Sequence, residues 1–315
     1  MIKAEALTKV FGEHSAVDNV SFHVKTGEVL GFLGPNGAGK STTMRMLTGY
    51  LPPTSGTVTI NGFNMEENPI LARASIGYLP ENAPLYTDMD VYSFLDFTAG
   101  IRGLHGETKR RALDNAVETC QLGKVLNQSI DTLSKGYRHR TCFAQAILCD
   151  PKVLVLDEPT DGLDPNQKHQ MRQLIAEMGR NKAIIVSTHI LEEVEAICTR
   201  VAIIDKGHMV FNGAPSQLRA KAPEAGAVVV RCSLTLEQLK QAASADSCIG
   251  QIRQQGEGAF MFMPEDENAK EGLLDRVRRL FAANDWDFSE IYVEKGRLDE
   301  VFRIITTNET AEVSK

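Results

Sequence analysis

The sequence predicts an α/β fold in two parts, a parallel-sheet core over residues 1–220 and a small α+β domain over residues 227–306. Three observations predict it. A glycine-rich loop, Gly34-Pro35-Asn36-Gly37-Ala38-Gly39-Lys40-Ser41, joins an apolar run to a helical one. From Pro151 onward, strand-sized apolar runs alternate with helical stretches, the pattern of parallel βα units. Beyond residue 226 the order becomes strand, helix, strand, strand, helix, strand, which is that of a ferredoxin-like βαββαβ unit.

Each element has a local reason. Residues 1–30 alternate short β-like runs with turns, an N-terminal antiparallel β subdomain. Residues 57–62 add a strand that ends in the turn pair Asn61-Gly62. Residues 28–33 read as a buried strand entering the glycine-rich loop, and Thr42 to Leu47 as the helix leaving it. Between about 86 and 150 apolar residues recur at helical spacing, as in Tyr92, Leu95 and Ala99, then Leu113, Ala116, Val117 and Cys120. This helical insertion is broken at 100–106. Strands return at 153–156, 183–187 and 201–204.

Residues 220–226 read as a linker. Strands are expected after it at 227–232, 249–254, 259–263 and 288–293, and helices at 236–243 and 270–283. Thr235 and Gln238 have capping-box spacing. Leu273, Leu274, Val277, Leu280 and Phe281 give the second helix an apolar face. Trp286 and Phe288 are expected in this domain's core. A last helix spans 298–305, and 307–315 read as a tail.

Composition narrows the function. A net charge of −7 over 315 residues argues against nucleic acid as a partner. The basic run Lys109-Arg110-Arg111 reads as a solvated helix face, with no aromatics interleaved for base stacking. The six cysteines are scattered without a C-x-x-C pair, so reduced, buried thiols are expected. The N-terminus lacks a signal-peptide pattern, and no apolar run approaches the roughly 20 residues of a membrane helix. A cytoplasmic chain is expected, whose membrane role would come through a partner.

The chemistry lies in two motifs. The loop 34–41 fits G-x-x-x-x-G-K-[ST] at every fixed position. Glycines let successive backbone N–H groups face phosphate oxygens, and the following helix N-terminus favours the anion. Lys40 is placed to reach the terminal phosphates, and the Ser41 hydroxyl to coordinate Mg²⁺. The run Val153-Leu154-Val155-Leu156-Asp157-Glu158 is a buried strand with two acids at its C-terminal end, where open α/β sheets bind ligands. Asp157 is expected to hold Mg²⁺ through water, and Glu158 to polarise the attacking water.

Between these motifs, Leu133-Ser134-Lys135-Gly136-Tyr137 resembles the signature of ABC-type ATPases. Thr160-Asp161-Gly162-Leu163-Asp164 is similar to the loop that follows that family's catalytic acid, and His189 to its switch histidine. Phe11 stands where the family stacks an aromatic on adenine. The resemblance covers residues 1–220. It implies a head-to-tail dimer with ATP between the subunits, the signature of one chain closing on the phosphate loop of the other. Ser134 and the Gly136 N–H would then donate to the γ-phosphate. His189 would hold the same phosphate and the water, and Asp164 would reach across the interface.

Two positions depart from the family pattern. The signature's third residue, commonly Gly, is Lys135, expected to point into solvent. The family's glutamine is replaced by Glu81, which with Ser41 and Asp157 would complete the oxygen ligands of Mg²⁺, Asn82 being the alternative. These departures and the C-terminal extension resemble ATP-binding subunits of ABC-2-type exporters, including the gliding-motility branch. That resemblance implies a separate integral membrane permease, a second and identical ATP-binding subunit, and a place on the inner face of the cell membrane. The competing readings are a soluble ABC-type ATPase acting on nucleic acid or ribosomes, and an ATP-sensing regulatory module. His14 and His23 are expected to be structural or solvated, and His139, beside the signature, to be a surface or interface residue and not a catalyst.

Overall fold

The computed structural model describes residues 1–82, 84–244, 246–266 and 268–312, with side chains through Thr307. The chain divides after Pro215 into two units.

In the first unit, β1 (Ile2–Phe11) and β2 (His14–Val24) form a hairpin. β3 (Val29–Leu33) runs into the glycine-rich loop and α1 (Lys40–Leu47). β4 (Ser55–Ile60) and β5 (Phe63–Asn64) turn about Asn61 and Gly62, both at positive φ as the Asn-Gly pair requires. α2 (Pro69–Ala74) leads to β6 (Ile76–Leu79). The insertion holds α3 (Val91–Ile101), α4 (Gly106–Thr119) and α5 (Lys135–Ile147). Then follow β7 (Val153–Asp157), α6 (Pro165–Gly179), β8 (Ala183–Thr188), α7 (Leu191–Ile197), β9 (Arg200–Asp205) and β10 (His208–Gly213).

These strands make two sheets. One is antiparallel, in the order β2-β1-β4-β5. The other runs β10-β9-β3-β8-β7-β6, parallel except for β10. β3, β7 and β8 are buried on both faces, which is why each reads as an unbroken apolar run instead of an alternation. Leu154 and Leu156 pack with Phe143 of the insertion on one face, and Val153 and Val155 with Phe32 and Met44 on the other. Gly77 in β6 lets that strand approach α5, because a Cβ there would stand 2.2 Å from the Ala146 carbonyl oxygen.

Parallel alignment brings the C-terminal ends of four strands to one edge. Leu33 lies opposite Thr188, Asp157 opposite Ser187, and Leu79 opposite Leu156. The phosphate loop, Glu81, Asp157-Glu158 and His189 all follow from that edge.

Within the insertion the expected apolar face needs one correction. Tyr92 is exposed, and Val91 and Phe94 join Leu95 and Ala99 on the buried face. Asp90 sets this phase by capping α3, its carboxylate accepting from the Ser93 N–H at 2.7 Å. The basic run on α4 is paired: Lys109 meets Asp96 at 2.6 Å, and Arg110 and Arg111 meet Glu107.

All of α8 (Pro215–Ala220) except its first residue lies in the second unit, so the boundary expected at residue 220 falls at Pro215. Gly296 packs here against Ala222 and the Arg219 carbonyl, so this helix belongs with the later chain. β11 (Val228–Arg231), α9 (Leu236–Ala243), β12 (Ile249–Gly256), β13 (Ala259–Pro264), α10 (Leu273–Ala283) and β14 (Glu290–Val293) follow. The sheet order β12-β13-β11-β14, antiparallel throughout, is that of a ferredoxin-like unit.

Thr235 and Gln238 form both bonds of the capping box. Val228, Val230, Phe260, Phe262, Val277 and Phe281 make the core. Trp286 packs onto this core, but Phe288 sits at its rim, 39% exposed with its ring against Phe281. α10 starts three residues later than expected because Gly272, in the left-handed region, caps it. The last helix, α11 (Leu298–Glu312), continues through most of the stretch read as a tail. No Gly or Pro interrupts it, and Thr306 bonds the Phe302 carbonyl within the turn at 2.8 Å. Residues 313–315 of that tail lie outside the described residues.

All six cysteines are free. Burial pushes the Cys120, Cys142 and Cys198 thiols up to about 12, which keeps them as unreactive thiols at neutral pH.

Candidate active site

The phosphate loop folds back over the end of β3. Gly39 has φ +106, and a Cβ there would meet the Ala16 carbonyl oxygen at 2.4 Å, so only glycine fits. Lys40 is buried, and its ammonium donates to the Gly34 and Pro35 carbonyls at 2.7 and 3.1 Å. Burial lowers its pKa, opposed by the Glu158, Asp157 and Glu81 carboxylates. The first N–H groups of α1 have no carbonyl one turn earlier to bond. Asn36, Gly37, Gly39, Lys40, Ser41 and Thr42 line an open cleft, with His14 and Ala16 on one side and Glu81 and Glu158 on the other. Cationic, N–H-rich and flanked by carboxylates, this cleft suits a polyphosphate carrying a metal ion.

Asp157 ends β7 and is buried, and its Oδ1 has no hydrogen-bond partner. Burial raises its pKa. The Ser187 and Ser41 hydroxyls facing the carboxyl oppose the shift, and Glu81 and Glu158 add to it. An orphaned buried carboxylate oxygen beside a serine hydroxyl is an all-oxygen donor set, which fits a hard cation such as Mg²⁺. Ser41, Asp157 and Glu81 are the residues that would hold it.

Glu158 has φ +50, unusual for a residue with a side chain. Its N–H donates to the Ser187 carbonyl at 2.9 Å, and the Asp161 N–H donates to its own carbonyl at 3.1 Å. This tight turn faces Glu158 into the cleft while Asp157 stays buried. Glu158 Oε1 lies 2.9 Å from His189 Nδ1. A carboxylate and an imidazole joined in this way can orient a water and move its proton.

Beneath this pair lies a network that sequence reading missed. Glu193 on α7 is fully buried. Its Oε1 accepts from the Thr160 hydroxyl, and its Oε2 from the Thr188 hydroxyl at 2.9 Å. Arg172 Nη2 approaches it at 3.9 Å. Burial pushes the Glu193 carboxyl up, against the Thr188 bond and the Arg172 charge. One signal was available: Glu193 sits four residues before Ile197 on the buried stripe of a short helix, an acid at an apolar position.

The signature stands outside the cleft. Ser134 caps α5, accepting from the Tyr137 N–H at 3.4 Å. Lys135 is exposed as expected but not free, since its ammonium bonds Asp161 at 3.0 Å and holds that carboxyl below its usual range. Gly136 lies against Gln167 of α6, whose amide would be 2.3 Å from an added Cβ. Asp164 caps α6, accepting from the Gln167 N–H at 2.9 Å. Signature and following loop thus meet within one chain. None of Ser134, Lys135, Gly136 or Asp164 lines the phosphate cleft.

Two further residues differ from expectation or extend it. His139 is buried instead of lying at the surface, with both ring nitrogens unbonded, because α5 turns that face inward. Desolvation lowers its pKa. His14, read as structural or solvated, lines the cleft and is the cross-strand partner of Phe11. Phe11 is exposed, with the Lys9 ammonium 5.3 Å from its ring centroid.

A parallel sheet whose strand ends gather a phosphate loop, a paired glutamate and histidine, and a separately mounted signature helix defines a nucleotide-binding ATPase domain. A family described as ABC transporter matches residues 17–161. The chain is 36% identical over 223 residues to the probable multidrug ABC transporter ATP-binding protein YbhF of Escherichia coli, covering 70% of this chain but only 38% of that longer protein. It is 36% identical to the linearmycin resistance ATP-binding protein LnrL of Bacillus subtilis, over 69% of this chain and 70% of LnrL. It is 38% identical to Nod factor export ATP-binding protein I of Paraburkholderia xenovorans, over 70% and 72% of the two chains. Among solved structures, an ATP-binding subunit of an ABC transporter superposes with TM-score 0.65 at 28% identity, over 70% of this chain and 92% of that one. The cbiO1 protein of Clostridium perfringens, part of the ABC transporter complex cbiONQ, gives 0.63 at 26% identity, over 78% and 95%.

The chain belongs to the ABC transporter ATP-binding proteins, and its first unit is an ABC-type ATPase domain. Among the described residues, no helix is long and apolar enough to cross a membrane.

Proposed function

We propose that this chain is the ATP-hydrolysing subunit of an ABC-2-type exporter, closing with a second copy of itself around ATP and driving a separate permease. The observation that carries the reading is the Glu158–His189 pair on the rim of the phosphate cleft. In it, the loop N–H groups and Lys40 hold the β- and γ-phosphates, and Phe11 stacks on adenine. Mg²⁺, held by Ser41, Asp157 and Glu81, would neutralise charge that builds on the phosphate oxygens. Glu158 orients the attacking water and takes its proton, while His189 fixes Glu158 and bonds the γ-phosphate.

The separation of signature and cleft supports the dimer. Ser134, the Lys135 and Gly136 backbone, and Asp164 need a second chain's nucleotide to act on, so ATP joins two half-sites. Its hydrolysis removes the γ-phosphate contacts and releases them. The relatives' names, with multidrug, linearmycin resistance and Nod factor export among them, favour export.

The permease docks beside the Glu81 loop and the insertion. There Tyr86 meets Phe97 edge to face with ring centroids 5.8 Å apart, and Tyr86, Phe97 and Ile101 are exposed. Such an apolar patch on a domain with no described membrane span suits a partner surface. That partner would hold the chain on the inner face of the cell membrane. The α+β domain over 227–306 serves as an accessory docking or stabilising module.

The test is ATP hydrolysis by the wild type and by Glu158→Gln, together with purification from detergent-solubilised membranes. The reading expects a drop of 10²–10⁴-fold in the variant, the usual contribution of a general base, and a multi-span protein co-purifying with the chain. Equal rates in the two proteins would sink it.

A further inference from the structure

We infer that Glu193 is a positioning residue for hydrolysis, holding the Glu158 loop and the His189 loop in one fixed register from below. The inference rests on the reading of Glu158 and His189 as the hydrolytic pair.

The two members of that pair come from different strand ends. Glu158 follows β7, and His189 follows β8. Their mutual contact is one hydrogen bond at the surface, to an imidazole more than half exposed. A single exposed bond between two loops does not define an angle of attack. The buried carboxylate beneath does, because it gives one oxygen to each loop. Thr160, two residues after Glu158, donates to Oε1. Thr188, immediately before His189, donates to Oε2. The Thr188 hydroxyl also accepts from the Ile190 N–H at 3.1 Å, so it brackets His189 on both sides. Thr160, Thr188 and Glu193 are each at most 1% exposed.

Stability does not explain a carboxylate in this place. Burying a charge costs several kcal/mol, and well-packed apolar residues commonly serve as well or better. Arg172 offsets only part of that, at 3.9 Å with its own Nε buried and unbonded. Geometry does explain it. Hydrogen bonds to an ionised oxygen are short and strongly directional, and a displacement of about 1 Å at reacting groups can cost about 10²-fold in rate. No residue of the network belongs to the phosphate loop or lines the cleft. Its loss should therefore change turnover and leave ATP binding alone.

The experiment compares four variants of the full chain: Thr188→Val, Thr188→Ser, Glu193→Gln and Glu158→Gln. It measures kcat and KM for ATP, affinity for a fluorescent ATP analogue, and Tm. Thr188→Val keeps the shape and removes the hydroxyl, so it avoids the folding risk of emptying a buried charge site. We expect kcat to fall about 10- to 100-fold, with KM and analogue affinity within about twofold. Thr188→Ser, which restores the hydroxyl, recovers most of the rate, and Glu193→Gln resembles Thr188→Val. If Glu158→Gln is inactive while Thr188→Val turns over like the wild type, the Glu193 inference fails and the catalytic pair stands. It also fails if Thr188→Val and Thr188→Ser lose rate, affinity and Tm together, for that is a packing defect. If Glu158→Gln keeps the wild-type rate, the reading of the pair fails and the inference falls with it.

Discussion

Replacing Asp157 with Asn separates what that residue costs the fold from what it does for the nucleotide. The side chain is 3% exposed and its Oδ1 has no partner. Leaving a buried polar group unsatisfied costs about 1–3 kcal/mol, and more when it is charged. Glu81 and Glu158 add repulsion from nearby. Asn fills the same volume without the charge, and its amide can donate to the buried Ser187 hydroxyl that faces it. Asp157→Asn should therefore stabilise the metal-free protein by roughly 1–3 kcal/mol. For a unit the size of Met1–Pro215, 1 kcal/mol moves Tm by about 2–4 °C, so a rise of roughly 2–12 °C is expected in EDTA.

Mg²⁺ and ATP should reverse the order. A ligand at about 1,000 times its Kd stabilises by about 4.1 kcal/mol, more than the variant's advantage and a gain the wild type receives and the variant largely loses. Scanning calorimetry of both proteins, in EDTA and in saturating Mg-ATP, reads all four values. If the variant melts below the wild type in EDTA and gains as much from Mg-ATP, Asp157 is a structural acid and the cation site is misplaced.

Three further outcomes are expected. Gly77→Ala drives a Cβ to 2.2 Å from the Ala146 carbonyl and 2.7 Å from Leu154; overpacking of this kind costs about 1–3 kcal/mol, visible as a lower urea midpoint at unchanged m-value. His139 has a pKa lowered by burial, so the unfolded chain binds more protons than the native one between the lowered value and about 6.5. Stability from this group is then full above about 6.5 and lost as pH falls below it, with a slope of at most about 1.4 kcal/mol per pH unit; His139→Leu should flatten that limb in urea melts from pH 7 to 5. The Lys135–Asp161 pair is more than half exposed on both sides, so a double-mutant cycle with Ala at both positions should return no more than about 1 kcal/mol of coupling in Tm-derived stability.

What was legible in the sequence was chemistry that demands fixed residue types at fixed spacing. Gly39, Lys40 and Ser41 could be read because a backbone phosphate cradle tolerates few alternatives. Asp157 and Glu158 could be read because four buried apolar residues ended in two acids. Parallel βα order then placed both motifs on one sheet edge, and the C-terminal βαββαβ order carried its topology with it. The hidden parts depend on partners distant in the chain. Thr160 and Glu193 meet across 33 residues, and Glu193 as an acid on the apolar stripe of α7 was the one local sign of the network. His139 looked like a surface histidine because burial depends on which helix face meets the sheet. Lys135 is solvated as expected, but its ion pair was hidden because Asp161 lies 26 residues away. That α8 packs with the second unit rests on contacts with Gly296, some 75 residues downstream and beyond the reach of a local sequence window.

The central claim is that the phosphate loop is half of a site completed by the signature of another copy. The most direct measurement is the solution mass of Glu158→Gln by light scattering at micromolar concentration, with and without saturating ATP. The account predicts a monomer without ATP and twice that mass with it, the dimer persisting because the γ-phosphate is not removed. A monomer that binds ATP fully and keeps its single-chain mass would contradict it.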